Sequence, residues 1–172
     1  MIDSDAVIDI FLGPGECYFG DAPTRIRTLL GSCVAVTMWH PQGRVGGMCH
    51  YLLPQRLIGT GGQLDGRYGD EALTYLARQA ADAGGHPAEY EVKLFGGSDM
   101  LSTRTSTKHM DIGARNVTLA KKLLAQLGFR IVVEHVGGTK HRSLVFEVWS
   151  GDVWLKRHHD QVSVGIRAAR AQ

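Results

Sequence analysis

Short stretches in which apolar residues recur at every second position run along this chain and predict β-strands. The first places Ile8, Ile10 and Leu12 two residues apart and stops at the turn-forming Gly-Pro-Gly of residues 13–15. Further strand-like stretches follow at residues 25–30, 33–39, 45–52, 90–95, 131–136, 144–149 and 153–156. The last two are joined through residues 150–152 and predict a terminal hairpin.

Two other stretches have the spacing of amphipathic helices. One begins at Asp70, carries its apolar residues on one face and ends at the glycines of positions 84 and 85; the other covers about residues 116–127. Strands therefore outnumber helices by roughly three to one, in mixed order. This pattern predicts an α+β fold, a single domain of packed mixed β-sheets (sandwich-like) flanked by two or three helices.

The composition is that of an ordinary globular protein and narrows the range of partners. At 172 residues, with 44% hydrophobic and 21% charged residues, the chain is long enough for one domain with a substantial core. Its net charge is only +2 and its basic residues are scattered, so we expect no nucleic-acid partner. No apolar run has the length of about 20 residues that spans a membrane. The acidic N-terminus does not resemble a secretory signal, so we expect a cytoplasmic protein outside the membrane.

A cysteine and a histidine in neighbouring strand-like stretches are the most informative side chains. Cys33 begins one stretch, His50 lies in the next, and residues 40–43 between them favour a reversal of the chain. Strands joined in this way lie side by side, so the two side chains can approach each other. A thiol beside an imidazole is the minimal equipment for nucleophilic catalysis by a thiolate, and the imidazole would lower the pKa of the thiol.

Each of these residues also has a structural interpretation. A cysteine at the start of an apolar strand is more often a packing residue than a nucleophile, and a histidine in such a strand is as often structural as functional. Because adjacent strand residues face opposite sides, Cys49 should point away from Cys33 when His50 points towards it. The backbone N–H groups near Ser32 and Cys33 follow a glycine and form a candidate oxyanion site. The cysteine spacing gives only weak support for a metal site.

Three further features have two interpretations each. Residues 54–69 form a long Gly-rich loop, and its part from 59 to 69 is a candidate lid. Residues 100–101 are an isolated apolar pair that either contacts a partner or folds back on the core. Arg115 and Asn116, at the start of the second predicted helix, are expected to be capping and surface residues.

Five motifs in order resemble one family. They are LLGSCVAV at 29–36, GGMCHYLLP at 46–54, KLFGG at 93–97, IGARN at 112–116, and the glycine pair at 137–138 through Arg142. Together, over roughly residues 15–156, they resemble the bacterial chemoreceptor glutamine deamidases (CheD). The resemblance implies hydrolysis of receptor glutamine side chains to glutamate by a cysteine mechanism, which contributes to chemotactic adaptation. It implies packed sheets flanked by helices, no metal or organic cofactor, chemoreceptors as protein substrates and, in some bacteria, a CheC-type phosphatase partner.

The resemblance also implies three catalytic residues, of which two match without ambiguity. Cys33 would be the nucleophile and His50 the base. The family's third residue is a threonine six positions before the cysteine, where this chain has Arg27, with Thr28 one place later. A guanidinium cannot accept the N–H of an imidazole, so either Thr28 takes this role through a small shift of the chain or a backbone carbonyl does. We predict Thr28.

Two other functions are compatible with the sequence. The chain would be a non-catalytic adaptor that binds a CheC-type phosphatase or a receptor if Cys33 were inert. It would be a different thiol amidase if it acted on the glutamines of another protein. Labelling of the thiol as a function of pH distinguishes the adaptor from a thiol enzyme, since an activated thiol reacts well below the free-thiol pKa of about 8.5.

Overall fold

A computed structural model of the chain describes residues 6–57, 62–100, 112–157 and 164–167. These residues form ten strands, two α-helices and a short 3₁₀ helix at Pro87–Glu89. The helices are α1 (Gly69–Asp82) and α2 (Ile112–Gln126). The strands are β1 (Ile8–Leu12), β2 (Cys17–Asp21), β3 (Thr24–Leu30), β4 (Val34–His40), β5 (Val45–Tyr51), β6 (Glu91–Gly96), β7 (Ile131–Val136), β8 (Arg142–Glu147), β9 (Asp152–Arg157) and β10 (Val164–Ile166).

The strands are divided between two mixed sheets. The first sheet has the order β1-β3-β8-β9-β10, and the second sheet has the order β2-β5-β4-β6-β7. Each sheet contains one parallel pair, β1 with β3 and β6 with β7, while the other pairs are antiparallel. The predicted α+β fold with packed mixed sheets is confirmed.

Apolar residues form two cores, one on each face of the second sheet. The inter-sheet core lies between the two sheets and contains Ile26, Leu30, Met48, Phe95 and Phe146. The helix-side core contains Val36, Cys49, Tyr51, Leu73 and Leu124, where the second sheet meets the helices. The second sheet is therefore covered on both faces, which explains why strand β4 is buried from Val34 to Trp39. The molecule has three layers, first sheet, second sheet and helices.

The structure differs from the predicted elements at three places. Helix α2 begins at Ile112, one turn before the predicted start, because Gly113 in its first turn is a poor helix former and hides that turn in the sequence. Strand β2 was not predicted because its residues are half-buried and do not alternate in polarity. Strand β10 was missed because it has only three residues, one of them a glycine.

Some expectations lie partly outside the described residues. Residues 59–61 of the proposed lid and residue 101 of the apolar pair are among these. Met100 is described and lies beside Gly31. A Cβ added at Gly31 would lie 3.4 Å from Met100 Cγ. Within the described ranges, no helix combines the length and the apolar character needed to cross a membrane.

Candidate active site

The chain crosses from the first sheet to the second through three residues, Gly31, Ser32 and Cys33. We call this segment the corner. It connects the end of β3 to the start of β4, and Cys33 is its last residue, partly exposed to solvent. Cys33 therefore lies at the end of the sandwich, close to both sheets.

His50 lies on β5 and faces the inter-sheet core. Its Cα pairs with that of Ala35, two residues after Cys33, so Cys33 and His50 occupy diagonal positions on the same face of neighbouring strands. The side chain of His50 is almost fully buried. Cys49 faces the opposite side, in the helix-side core and opposite Cys17, which confirms the prediction that it points away.

Thr28 approaches His50 from the other sheet. Its hydroxyl Oγ1 donates to the carbonyl of Leu12 at 2.8 Å and lies 2.8 Å from His50 Nδ1. A hydroxyl has one hydrogen, and the Leu12 carbonyl can only accept it, so Oγ1 accepts from an Nδ1–H of His50. This network assigns the neutral tautomer of His50 with its lone pair on Nε2. Among the described residues, Nε2 is buried and has no hydrogen-bond partner.

Arg27 points away from this arrangement. Its side chain is about half exposed on the outer face of the first sheet and forms an ion pair with Asp9, with 2.9 Å between Nε and Oδ1. Successive residues of β3 face opposite sides, so Arg27 and Thr28 cannot both face His50. The side chain brought to the imidazole is that of Thr28.

The electrostatic environment holds both reactive groups in their neutral forms. Burial raises the pKa of Cys33 above its ordinary value, an effect opposed by the backbone N–H of Cys33 itself. Burial also lowers the pKa of His50, although the Leu12 carbonyl and the charge of Glu16 oppose this shift. The pKa of the thiol is therefore raised, contrary to the expectation that the imidazole lowers it, and burial is the largest cause of the shift at both groups.

Hydrogen bonds to the corner carbonyls fix the orientation of the corner peptides and so the directions of their N–H groups. The Gly31 carbonyl accepts from the backbone N–H of Ser98 at 3.0 Å, and the Cys33 carbonyl accepts from that of Gly97 at 2.8 Å. In a planar trans peptide the N–H is directed opposite to the C=O. The N–H of Ser32 therefore points away from Ser98. The N–H of Cys33 lies close enough to the sulfur to affect its pKa.

The described residues suit acyl transfer and contain no metal centre. No group of three His, Cys, Asp or Glu side chains in the described ranges is arranged to hold a metal ion. The corner, β3 and β5 together offer a thiol, a buried imidazole with a free lone pair, a hydroxyl that fixes its tautomer, and backbone donors beside the sulfur. These are the groups that attack on a carbonyl requires.

Comparison with known proteins identifies the family. A family model described as "CheD chemotactic sensory transduction" matches residues 52–157. "Probable chemoreceptor glutamine deamidase CheD 3" of Dechloromonas aromatica is 54% identical over 147 residues, covering 86% of this chain and 86% of that protein. The chain belongs to the CheD family. "Probable chemoreceptor glutamine deamidase CheD 1" of Chromobacterium violaceum is 48% identical over 151 residues, covering 88% of this chain and 78% of that protein. The predicted resemblance is thereby confirmed.

One residue near the site of this CheD-family chain was misassigned from the sequence. Asn116 was expected at a helix cap or on the surface, but it lies inside α2 and is fully buried. Its Nδ2 donates to the Leu52 carbonyl at 2.8 Å and approaches the Ser32 carbonyl at 3.5 Å. The sequence does carry a signal for this position, since Asn116 is spaced by four residues from Ala120 and Leu124 on the inward face of the helix.

Proposed function

We propose that this chain is a hydrolase that deamidates glutamine side chains of chemoreceptors to glutamate, with Cys33 as nucleophile, His50 as base and Thr28 as the residue that orients His50. The relatives carry the name chemoreceptor glutamine deamidase. The observation that carries the residue assignment is the inter-sheet contact between Thr28 Oγ1 and His50 Nδ1, which leaves Nε2 free to accept a proton.

The first half-reaction forms a thioester. His50 Nε2 removes the proton of the Cys33 thiol as the sulfur attacks the δ-carbon of the substrate glutamine. The carbonyl oxygen becomes an oxyanion, which the backbone N–H groups of Ser32 and Cys33 stabilise. The carbonyl then re-forms, the C–N bond breaks, and protonated His50 gives its proton to the departing ammonia.

The second half-reaction hydrolyses the thioester. Neutral His50 removes a proton from a water molecule that attacks the thioester carbon, and the same N–H groups stabilise the second oxyanion. The C–S bond breaks, the proton returns from His50 to Cys33, and a glutamate side chain is released. In total, one amide and one water give one carboxylic acid and one ammonia.

The neutral resting state fits this order of events. With the pKa of Cys33 raised and that of His50 lowered, thiol and imidazole are both uncharged at neutral pH. Proton transfer is then coupled to attack on the substrate instead of preceding it. Since Nε2 has no partner within the described residues, the site also has an unused acceptor for the thiol proton.

The decisive experiment compares Cys33→Ala with Cys17→Ala. Purified receptor cytoplasmic fragments are incubated with each variant, and ammonia release and the amide-to-acid mass change of receptor glutamines are measured. We expect Cys33→Ala to be folded and inactive. Cys17→Ala removes a thiol on the helix side of the second sheet and should keep its activity. Full activity of Cys33→Ala would overturn the proposal.

The adaptor function has one observation in its favour. Burial raises the pKa of Cys33, so less of the reactive thiolate is present at neutral pH in the free protein, as for a cysteine that only packs. An adaptor would bind a receptor or a CheC-type phosphatase without releasing ammonia, and Cys33→Ala would leave binding unchanged. The phosphatase partner stays a prediction from the resemblance.

We propose the cytoplasm as the site of the reaction. Cys17, Cys33 and Cys49 are all free thiols, and two of them, Cys17 and Cys49, face each other across β2 and β5 without a disulfide. Free thiols of this kind are typical of a reducing compartment. A thiol nucleophile needs the same conditions to stay active.

A further inference from the structure

The three carbonyls of the corner are held by three different donors. Rigid backbone holds the first and the last, since Ser98 N–H donates to Gly31 and Gly97 N–H donates to Cys33. The middle carbonyl, that of Ser32, is approached only by the side chain of Asn116 among the described residues. The peptide that joins Ser32 to Cys33 therefore depends on a side chain for its orientation.

Asn116 is itself firmly placed. Its backbone carbonyl accepts from the Tyr51 hydroxyl at 2.7 Å, and its Nδ2 donates to the Leu52 carbonyl at 2.8 Å. Both near neighbours of Nδ2 are carbonyl oxygens, which fixes the amide with its nitrogen towards the corner. Its Oδ1 is buried with no donor among the described residues, which is unfavourable for folding. Burying Oδ1 without a donor is unfavourable, so we infer that the N–H groups of this asparagine have a role that offsets it.

The peptide that Asn116 approaches carries the N–H of Cys33. Because the peptide is planar and trans, a Ser32 carbonyl directed at Asn116 sends the Cys33 N–H in the opposite direction. That N–H already lies beside the sulfur, where the oxyanion of a substrate bound to Cys33 would form. The contact of 3.5 Å to Ser32 is long, as catalytic hydrogen bonds often are before the substrate binds.

We propose that Asn116 is a positioning residue that holds the Ser32–Cys33 peptide so that the N–H of Cys33 points at the oxyanion. The inference rests on the proposed deamidation and deepens it. Asn116 touches neither substrate nor thiol, and it acts through the peptide. Its loss should therefore impair reactions that pass through an oxyanion and spare reactions of the sulfur that do not.

Two reactions of the same thiol test this distinction in Asn116→Ala. Glutamine deamidation passes through an oxyanion, whereas alkylation of Cys33 by iodoacetamide is a displacement at carbon that forms none. We expect kcat for deamidation to fall by about tenfold or more, towards the 100- to 1,000-fold loss typical of a missing oxyanion donor. We expect KM and the alkylation rate of Cys33 at fixed pH to change by less than about threefold.

The control is Tyr90→Phe. It removes another buried side-chain hydrogen bond, from Tyr90 Oη to the Ala80 carbonyl at 3.1 Å, at the far end of α1. It should lower thermal stability without lowering kcat. If Asn116→Ala does not fold, Asn116→Ser carries the same test, because its shorter hydroxyl fits the space but cannot reach both carbonyls.

The outcomes distinguish a failure of the inference about Asn116 from a failure of the proposed deamidation. Inactive wild-type protein would overturn the proposed deamidation and the inference together. Active wild type with a folded, fully active Asn116 variant would overturn the inference alone. A variant whose alkylation rate falls in step with kcat would also overturn it, since Asn116 would then act on the thiol. Alkylation that rises sharply would indicate local unfolding of the corner and would overturn it as well.

Discussion

The hydroxyl of Thr28 offers the sharpest test of the catalytic arrangement. Thr28→Val keeps the branched shape of the side chain and removes only the hydroxyl that lies 2.8 Å from His50 Nδ1 and 2.8 Å from the Leu12 carbonyl. In the variant, Nδ1–H has lost the hydroxyl that accepts from it, so the orientation and the tautomer of the imidazole are less firmly fixed. Deamidation should slow while receptor binding is unaffected.

The size of the effect follows from the charge that His50 acquires. When Nε2 takes the thiol proton, the Nδ1–H of the imidazolium donates to Thr28 in a charge-assisted hydrogen bond. Bonds of this type contribute about 1.5–3 kcal/mol. Since 1.36 kcal/mol corresponds to tenfold in rate, kcat should fall by about 10- to 150-fold. The free energy of unfolding should fall by about 1–3 kcal/mol, because the buried Leu12 carbonyl loses its donor.

The same strand supplies a matched control. Thr24 is four residues before Thr28, on the same face of β3, and equally buried, but its hydroxyl has no hydrogen-bond partner within the described residues. Thr24→Val should be as active as wild type and no less stable. The assay is ammonia release from a receptor fragment at several substrate concentrations, which separates kcat from KM, together with thermal unfolding.

Equal activity of the two valine variants would refute the role assigned to Thr28. So would a loss of activity in Thr28→Val that appears only in KM. Arg27→Ala adds an internal check on the alignment of the family threonine. Its side chain is exposed and paired with Asp9, so its removal should change kcat little.

Three further predictions concern the pH dependence of the site and the backbone beside it. Iodoacetamide labelling of Cys33 in the free protein should have its midpoint above the free-thiol pKa of about 8.5, because burial raises the pKa of this thiol; a midpoint well below that value would contradict the neutral resting state. Deamidation measured as kcat/KM should increase with pH along a limb whose midpoint lies below pH 6.5 and then level off, since the pKa of His50 is lowered and its neutral form is the base; a limb centred above 6.5 would exclude this assignment. Gly96→Ala should unfold more easily by several kcal/mol and lose activity, since Gly96 has a φ of +102° and an added Cβ would collide with the Cys33 carbonyl. Gly84→Ala, at a φ of +84° in open space, should cost only about 1 kcal/mol and stay active; equal losses in the two variants would mean that the collision does not matter.

The fold was predictable from the sequence where local pattern decides it. Strand β1 places apolar residues at alternate positions, strand β7 is mostly apolar, and a glycine follows each of them, so their limits agree with the prediction. Strand β2 is extended because it pairs with β5 at the edge of the second sheet. Its own sequence has no pattern that predicts this pairing. The start of α2 was misplaced for a similar reason. Gly113 is a poor helix former, but it lies against Gly97, where a side chain would not fit.

The site was predictable only in part. Strand parity was enough to place His50 and Cys49 on opposite faces of β5. The contact between Thr28 and His50 could not be derived in this way, because it joins two sheets and depends on how they pack. The pKa of Cys33 depends in turn on how deeply the corner is buried. The role of the amide of Asn116 required knowing which backbone carbonyls face α2.

The proposed catalytic residues are divided between the two sheets, so activity should depend on how the sheets are packed against each other. Thr28 belongs to the first sheet, His50 to the second, and Cys33 to the chain segment that passes between them. A small slide of one sheet over the other would leave every backbone ladder intact and still separate the base from its acceptor. Substitutions in the inter-sheet core at Leu30, Met48 and Phe146 should therefore reduce turnover before they reduce the amount of folded protein.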